Sequence, residues 1–288
     1  MKKFLTLILA MLLWVSCCVG LTACSCAGDD EVKIVAVDLS NEQYAYAVKK
    51  GDTQLLNSVN TFLVEKKSEI DAIFAKYTAE GVDLNQFGSS EIQTTPTDSP
   101  DELVVATNLD FPPFEYSNGN KIAGIDMEIA QLLADYLNKT LVIVHMDFLA
   151  VVTSVQELDA YDIGMAGLTI TDERKEQVAF SDPYFGTTQV LITKANDNTF
   201  DDCKTASAVE AKLKSLKDDA AKCGGQKATT SQFYVQGSAD LGFNGFSNLK
   251  FSGYTSPALA VQDMLNGKIA FVVVDKTTAQ SLVNSFNG

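Results

Sequence analysis

The sequence predicts an α/β protein folded as two lobes. From Glu102 onward, short apolar runs of strand type alternate with helical patterns, as sheets covered by helices require. A polar, aperiodic stretch at residues 82–101 separates that series from a shorter strand-and-helix set before it. The run at residues 269–274 delivers an acid, Asp275, to the carboxyl end of a strand, where open α/β sheets bind ligands.

Lys2 and Lys3 precede an apolar run at residues 4–19, and Leu21-Thr22-Ala23-Cys24 follows. This reads as an export signal over residues 1–23. The small residues before a cysteine resemble a bacterial lipoprotein signal, which implies lipidation at Cys24, a tether over residues 24–30 and attachment to the outer face of the cell membrane. A spanning anchor is the alternative, but the run is short and no basic stop-transfer cluster follows. Export implies an oxidising compartment. Cys17 and Cys18 would leave with the leader, so Cys203 and Cys223 form a natural pair; a disulfide there contributes about 3 kcal/mol in the chain-entropy model. Cys26 is left over. A single histidine, His145, and the lack of a CxxC pair argue against zinc, and no cofactor motif is visible.

Residues 32–37 and 43–48 read as strands. Asp52 can cap a helix through Lys66, with Leu55, Leu56, Val59, Phe62 and Leu63 on one face. Ser68 with Asp71 suggests a capping box for a second helix that stops at Gly81. Residues 81–101, with Thr94-Thr95-Pro96-Thr97-Asp98-Ser99-Pro100, read as a flexible linker, reaching roughly 25 Å if unstructured. Strands then follow at residues 103–106, 141–144, 163–165 and 189–193, with a helix at 125–137. Ser256 as N-cap, Pro257 at the first helical position and Gly267 past the stop frame a later helix.

The 288 residues carry 22 basic and 37 acidic side chains, a formal charge of −15. So acidic a body repels nucleic acid, and no basic stripe contradicts this. The only arginine is Arg174, closing the run Gly167-Leu168-Thr169-Ile170-Thr171-Asp172-Glu173-Arg174. Arginine supplies a planar, permanently charged fork for a carboxylate. Gly167 lets a ligand approach the backbone, and Thr169 adds a hydroxyl. Alone, such an arginine reads as a surface residue on a short helix. With these neighbours it reads as a small anion site, suited to the carboxylate of a free amino acid.

From residue 103 to about 282 the chain resembles the family-3 extracellular solute-binding proteins, polar amino-acid receptors of ABC importers. The resemblance rests on Leu103-Val104-Val105-Ala106-Thr107, Phe111-Pro112-Pro113-Phe114-Glu115-Tyr116, Gly124-Ile125-Asp126, Met146-Asp147-Phe148, the Arg174 run and Phe180-Ser181-Asp182-Pro183-Tyr184. It implies a two-lobed, type II periplasmic-binding-protein fold that closes around an L-amino acid and presents it to an ABC permease. It also implies residue roles. Arg174 and Thr169 would meet the α-carboxylate, and Ala166 and Gly167 would offer backbone groups. Phe111 and Phe148 would sandwich the side chain, Thr229 would stand near the carboxylate, and Asp275 would receive the α-ammonium. Asn108 stands where many members carry an acid that meets a ligand amide or cation. Val274 and Gln226 replace polar or charged positions. These departures favour a neutral, glutamine-like ligand over a cationic one.

The order of the pieces is unusual. Members of the family continue beyond the counterpart of residues 269–286 with another strand, a return hinge strand and two helices. Here such pieces stand at the front, which predicts a circular permutation. Residues 31–42 would then belong to lobe two, 43–80 to lobe one, 102–188 to the main part of lobe one, 189–194 to the hinge and 195–288 to lobe two. A truncated receptor with an unrelated extension and a domain-swapped dimer are the alternatives. Two other functions compete with transport: a sensory module for a partner protein, and a cyclohexadienyl dehydratase-like enzyme using Asp110 or Glu115.

Overall fold

The computed structural model describes residues 31–97 and 99–288. The expected leader, Cys24 and the tether lie outside the described residues. Among those described, no helix is long and apolar enough to cross a membrane.

The chain opens with β1 (Val32–Val35), β2 (Glu42–Tyr44) and β3 (Ala47–Lys49), then α1 (Thr53–Glu65) and α2 (Lys67–Tyr77). Next come β4 (Glu102–Thr107), the small sheet β5 (Asp110–Phe111), β6 (Glu115–Asn118) and β7 (Lys121–Ala123), and α3 (Ile125–Tyr136). Then follow β8 (Thr140–His145), α4 (Phe148–Glu157), β9 (Ile163–Gly164), α5 (Asp172–Gln177), β10 (Val178–Phe180), β11 (Phe185–Thr187) and β12 (Gln189–Lys194). The last series is α6 (Ala206–Ser215), β13 (Lys222–Gln226), α7 (Thr230–Gln236), β14 (Lys250–Tyr254), α8 (Pro257–Leu265), β15 (Phe271–Asp275) and α9 (Lys276–Asn287).

Lobe one is built on a sheet of order β10-β3-β9-β4-β8, in which β4 runs parallel to β8 and β9 while β3 is antiparallel to both its neighbours. Every residue of β4 is buried, as a strand covered on both faces requires. The α3 helix turns Ile125, Ile129 and Leu133 inward, and α4 covers the opposite face with Val151, Val152 and Val155. Lobe two uses the order β1-β12-β15-β13-β14. Its α8 and α9 pack on one face, whereas Val209, Leu213, Tyr234 and Val235 of α6 and α7 close the other.

The N-terminal segment therefore serves both lobes. β1 pairs with β12 at the edge of the lobe-two sheet, and β3 sits inside the lobe-one sheet. Between them, β2 pairs antiparallel with β11, Tyr44 opposite Phe185 and Glu42 opposite Thr187. These are the two crossings between lobes. The hinge expected at residues 189–194 is thus displaced by one element, since β12 is an interior strand of lobe two with its first five residues buried. The single strand expected at 43–48 is two strands, broken at Ala45-Tyr46, where the chain passes from hinge to sheet.

Three local expectations change. Ser68 does not cap α2: the helix starts at Lys67, and the Ser68 hydroxyl donates to Glu69 instead. Lys66 ends α1 and begins α2, which leaves Ser68 inside the helix. Residues 81–97, expected as part of a loose linker over 81–101, instead form a strap laid along lobe one. Leu84, Phe87 and Ile92 pack on its core, and Ser89 and Gln93 form bridges with Ile122 and Val142. Their spacing has no period, so pattern alone reads them as loop. Finally, Cys203 and Cys223 are free thiols rather than a disulfide. Each is buried as a small apolar side chain in the lobe-two core, and burial pushes the Cys223 thiol up to about 12.

Gly124 starts α3 at a φ of 129°, and a Cβ there would stand 2.1 Å from the Phe114 carbonyl oxygen. Substitution combines backbone strain with a backbone clash that no rotamer relieves. Gly124→Ala is expected to lower stability by about 2 kcal/mol or more, seen as a drop in Tm of several degrees; an unchanged Tm would contradict this packing.

Candidate ligand site between the lobes

A cavity lies between the lobes, lined by Phe111, Phe148, Ala166, Gly167, Thr169 and Arg174 from lobe one and by Gln226, Thr229, Thr230 and Asp275 from lobe two. The fold thus brings together all but one of the side chains singled out from sequence. Asn108 is the exception. The cavity is tight, about 10 Å³ on the scale where one water needs about 10–15 Å³. The lobes are closed on each other.

Arg174 reaches the cavity from α5, whose start is capped when the Arg174 N–H donates to the Thr171 hydroxyl at 3.0 Å. Its guanidinium is buried and donates to the Thr169 carbonyl at 2.8 Å and, across the cleft, to the Ala228 carbonyl at 3.4 Å. The fork lies 5.4 Å from the Phe148 ring centroid, a cation–π contact. Gly167 adopts a φ of 54°, with Tyr44 and Phe111 at 3.3 and 3.4 Å from where a Cβ would stand. Its N–H is committed to Asp126, at 3.0 Å, and is not offered to the cavity. The Thr169 hydroxyl donates to Glu42 and the Thr229 hydroxyl to the Gln226 carbonyl, which fixes both side chains.

Asp275 ends β15 and stands at the N-cap position of α9, but its side chain makes no capping hydrogen bond. It is buried, and its Oδ1 has no hydrogen-bond partner. Burial raises its carboxyl well above the ordinary range, and Glu42 adds to the shift, against the opposing polar groups of Tyr44, Gln189 and Thr187.

Asn108 serves a different end. It donates to the Met146 carbonyl at 2.8 Å and accepts from the Gln226 amide at 2.8 Å, a bridge between lobes. Gln226 also donates to the Thr255 carbonyl at 2.9 Å, so its nitrogen is fully used while its buried Oε1 is left unpartnered. That acceptor belongs to a cavity-lining residue, and Gln226 and Thr230 are the lining residues the sequence left out. Gln226 was visible only as a departure from a charged position. Thr230, adjacent to Thr229, carries no signal of its own, and its hydroxyl is held by Gln189 at 3.0 Å.

Beneath the cavity lies a reservoir of acids. Asp126 accepts from the Tyr184 hydroxyl at 2.9 Å as well as from Gly167. Burial raises its carboxyl to about 7 despite these bonds. Glu115 is fully buried with neither oxygen bonded, and burial, then Asp126, raises it well above the carboxylate range. His145, outside the cavity, accepts the Leu109 N–H at its Nδ1, at 3.0 Å.

The chain's relatives agree with this architecture. The profile of the bacterial extracellular solute-binding proteins, family 3, matches residues 103–285. A probable histidine-binding protein of Neisseria gonorrhoeae is 29% identical over 201 residues, 69% of this chain and 68% of that protein. ABC transporter arginine-binding protein 1 of Escherichia coli K12 is 26% identical over 73% of this chain and 71% of its own length. The chain spans only about a third, 36%, of the arginine-binding extracellular protein of Bacillus subtilis, at 36% identity. A cyclohexadienyl dehydratase of Pseudomonas aeruginosa is 35% identical over 33% of this chain and 35% of that enzyme. Among solved structures, an ancestral arginine-binding protein superposes with a TM-score of 0.53 when bound to arginine, at 30% identity over 64% of this chain and 74% of that one. Its glutamine-bound form gives 0.51 at 29% identity, over 65% and 75%. With the family profile matched over more than half its length, the chain belongs to the bacterial extracellular solute-binding proteins of family 3.

Proposed function

We propose that this protein captures an L-amino acid between its lobes and delivers it to an ABC permease, from a lipid tether at Cys24 on the outer face of the membrane. The observation that carries the reading is Arg174 and Asp275, from opposite lobes, lining one cavity between Phe111 and Phe148. A zwitterion offers a carboxylate to the first and an ammonium to the second, and its side chain occupies the slot between the rings. Closure follows because neither lobe alone holds both charges.

The side-chain end favours a neutral, polar ligand. Asn108 and Gln226 neutralise no charge, yet Gln226 Oε1 lacks a donor. An amide such as glutamine's supplies one without adding a buried cation. The relatives named for arginine and histidine keep a cationic ligand as the competing reading. A dehydratase reading gains little: Glu115 is sealed below the cavity, and neither it nor Asp110 lines it.

The element order supports a circular permutation. Asn287, at the end of α9, both accepts the Val32 N–H and donates to the Val32 carbonyl, each at 2.9 Å. The chain's end thus lies beside the start of β1, so a short α9-to-β1 loop would restore the family order. The family profile likewise begins only at residue 103. Moving residues 31–80 behind Gly288 and deleting the strap should yield a folded protein with the same amino-acid preference; a chain that fails to fold counts against the permutation.

Calorimetry against the common L-amino acids tests the function. One of them should bind, and Arg174→Ala should weaken it at least about a hundredfold, the loss expected when a buried charge pair is broken. Unchanged affinity would sink the assignment.

Proton linkage gives a further test. Asp126, Asp275 and Glu115 hold protons in the folded chain at pH values where unfolded carboxyls, titrating near 4, have released them. Ligand-free stability should therefore fall as pH rises from about 4 through 7. Affinity should move oppositely, strengthening with pH as Asp275 ionises to receive the ammonium. Asp275→Asn should raise the ligand-free Tm at pH 8 while abolishing binding. A pH-independent affinity would remove Asp275 from its proposed role.

A further inference from the structure

The loop from Gly237 to Gly245 in lobe two points at the helix that carries Arg174. Ser238 and Phe243 close its base through two backbone hydrogen bonds, 2.9 and 2.8 Å long. Gly237, Gly242 and Gly245 take φ values of 98°, 69° and 67°, and a Cβ on Gly245 would stand 2.6 Å from the Gly237 nitrogen. The geometry is thus dictated by glycine. Asp240 stands within this loop. One of its oxygens accepts the Asp172 N–H at 3.0 Å and the other the Glu173 N–H at 3.2 Å.

These are the first two N–H groups of α5, and α5 is only Asp172–Gln177. Thr171, in lobe one, takes the third. So short a helix gains little from propagation, and its first-turn donors weigh heavily. Lobe one thus satisfies one of the three donors, and a carboxylate of the other lobe satisfies the remaining two. Asp240 meets a helix start that also carries the acidic residues Asp172 and Glu173, a neighbourhood that the helix N–H groups and macrodipole offset. A second lobe-two acceptor holds Arg174 itself. The Ala228 carbonyl receives its guanidinium from a residue at φ 62°, whose N–H is fixed by Gln232.

We infer that Asp240 is a positioning residue for ligand binding: on closure it completes the cap of α5 and so holds Arg174 in register with the ligand's carboxylate. This rests on the amino-acid reading given above. It differs from a second rim contact, the Lys227–Asp147 ion pair at 2.7 Å. Both contacts are solvent-exposed, but the ion pair joins two full charges that salt screens, whereas the Asp240 contact is made to backbone donors and tolerates a neutral acceptor.

The test compares Asp240→Ala, Asp240→Asn and Lys227→Ala. Small-angle scattering without ligand reports the closed fraction, and stopped-flow fluorescence reports dissociation of L-glutamine, with L-arginine as second probe. Asp240→Ala should open the ligand-free protein and speed dissociation about threefold to tenfold, the range of a lost helix cap. Asp240→Asn, a good cap without the charge, should keep wild-type rates. The Lys227→Ala effect should vanish in high salt while that of Asp240→Ala persists. The inference is overturned if Asp240→Ala behaves as wild type in both measurements, or if Asp240→Asn is as impaired as Asp240→Ala. Should the wild type bind neither probe, the ligand reading falls for those amino acids, and the ligand-free closed fraction still decides the role of Asp240.

Discussion

A buried guanidinium surrounded by more carboxylates than it can neutralise is the constraint on which this structure turns. Arg174 is desolvated among Glu42 and Asp275, and Asp275 in turn acts on Glu115. One positive charge cannot satisfy all of them. Hydrogen bonds absorb part of the excess: Glu42 accepts from Ser40, Gln189 and Thr169, and Asp126 from Gly167 and Tyr184. Protons absorb another part, since burial holds Glu115 and Asp126 in the acid form to unusually high pH. Asp275 keeps an oxygen without a partner. The site is thus better described as short of a cation than as merely polar, and on the proposed reading a ligand ammonium would complete the balance at that oxygen.

The hinge explains how such a site can open. The lobes are joined by β2 and β11, which pair with each other, so bending there strains no sheet in either lobe. Glu42 lies on β2 and bonds to Thr169 of lobe one and to Gln189 at the start of β12. Gln189 faces Asp275 in the register between β12 and β15 and is held by Thr230 and Ser231 of α7. A change of charge at Asp275 therefore acts directly on the residues that set the hinge.

What could be read from sequence was the chemistry that stands out by type. One arginine in an acidic chain, an aspartate at a strand end and two phenylalanines beside proline or acid are unusual enough to be noticed without a fold. Gln226 Oε1 and Glu42 were not, because their roles arise from what the topology places against them. Gln226 became a cavity residue only because Asn108 and Thr255 fix its amide nitrogen. The strap carries no pattern for a related reason: Leu84, Phe87 and Ile92 bury at irregular spacing, and Tyr116 and Asn118 of β6 donate to its backbone. Periodicity detects elements that pack on themselves, not segments that borrow a neighbour's surface. The hinge slipped by one element because β12 and β11 are both strands, and only pairing partners tell them apart.

Rim and centre of the cleft act in opposite senses. At the rim, Asn108 with Gln226, Asp147 with Lys227 and the α5 donors with Asp240 all pair across the cleft in the closed form. At the centre, Asp275 shares a desolvated space with Glu42 and Glu115 in the closed form, which penalises that form in proportion to their ionisation. Neither group of contacts alone makes a switch. Favourable rim contacts without the central penalty would keep the lobes shut whether or not ligand was present. The penalty without the rim would leave the closed state too sparsely populated for tight binding, because apparent affinity falls with the fraction competent to bind. On the proposed reading, a zwitterion would alter only the central term, its ammonium meeting Asp275 and its carboxylate Arg174. It shifts the equilibrium by its differential affinity for the closed form, and that difference resides in two charges contributed by two lobes.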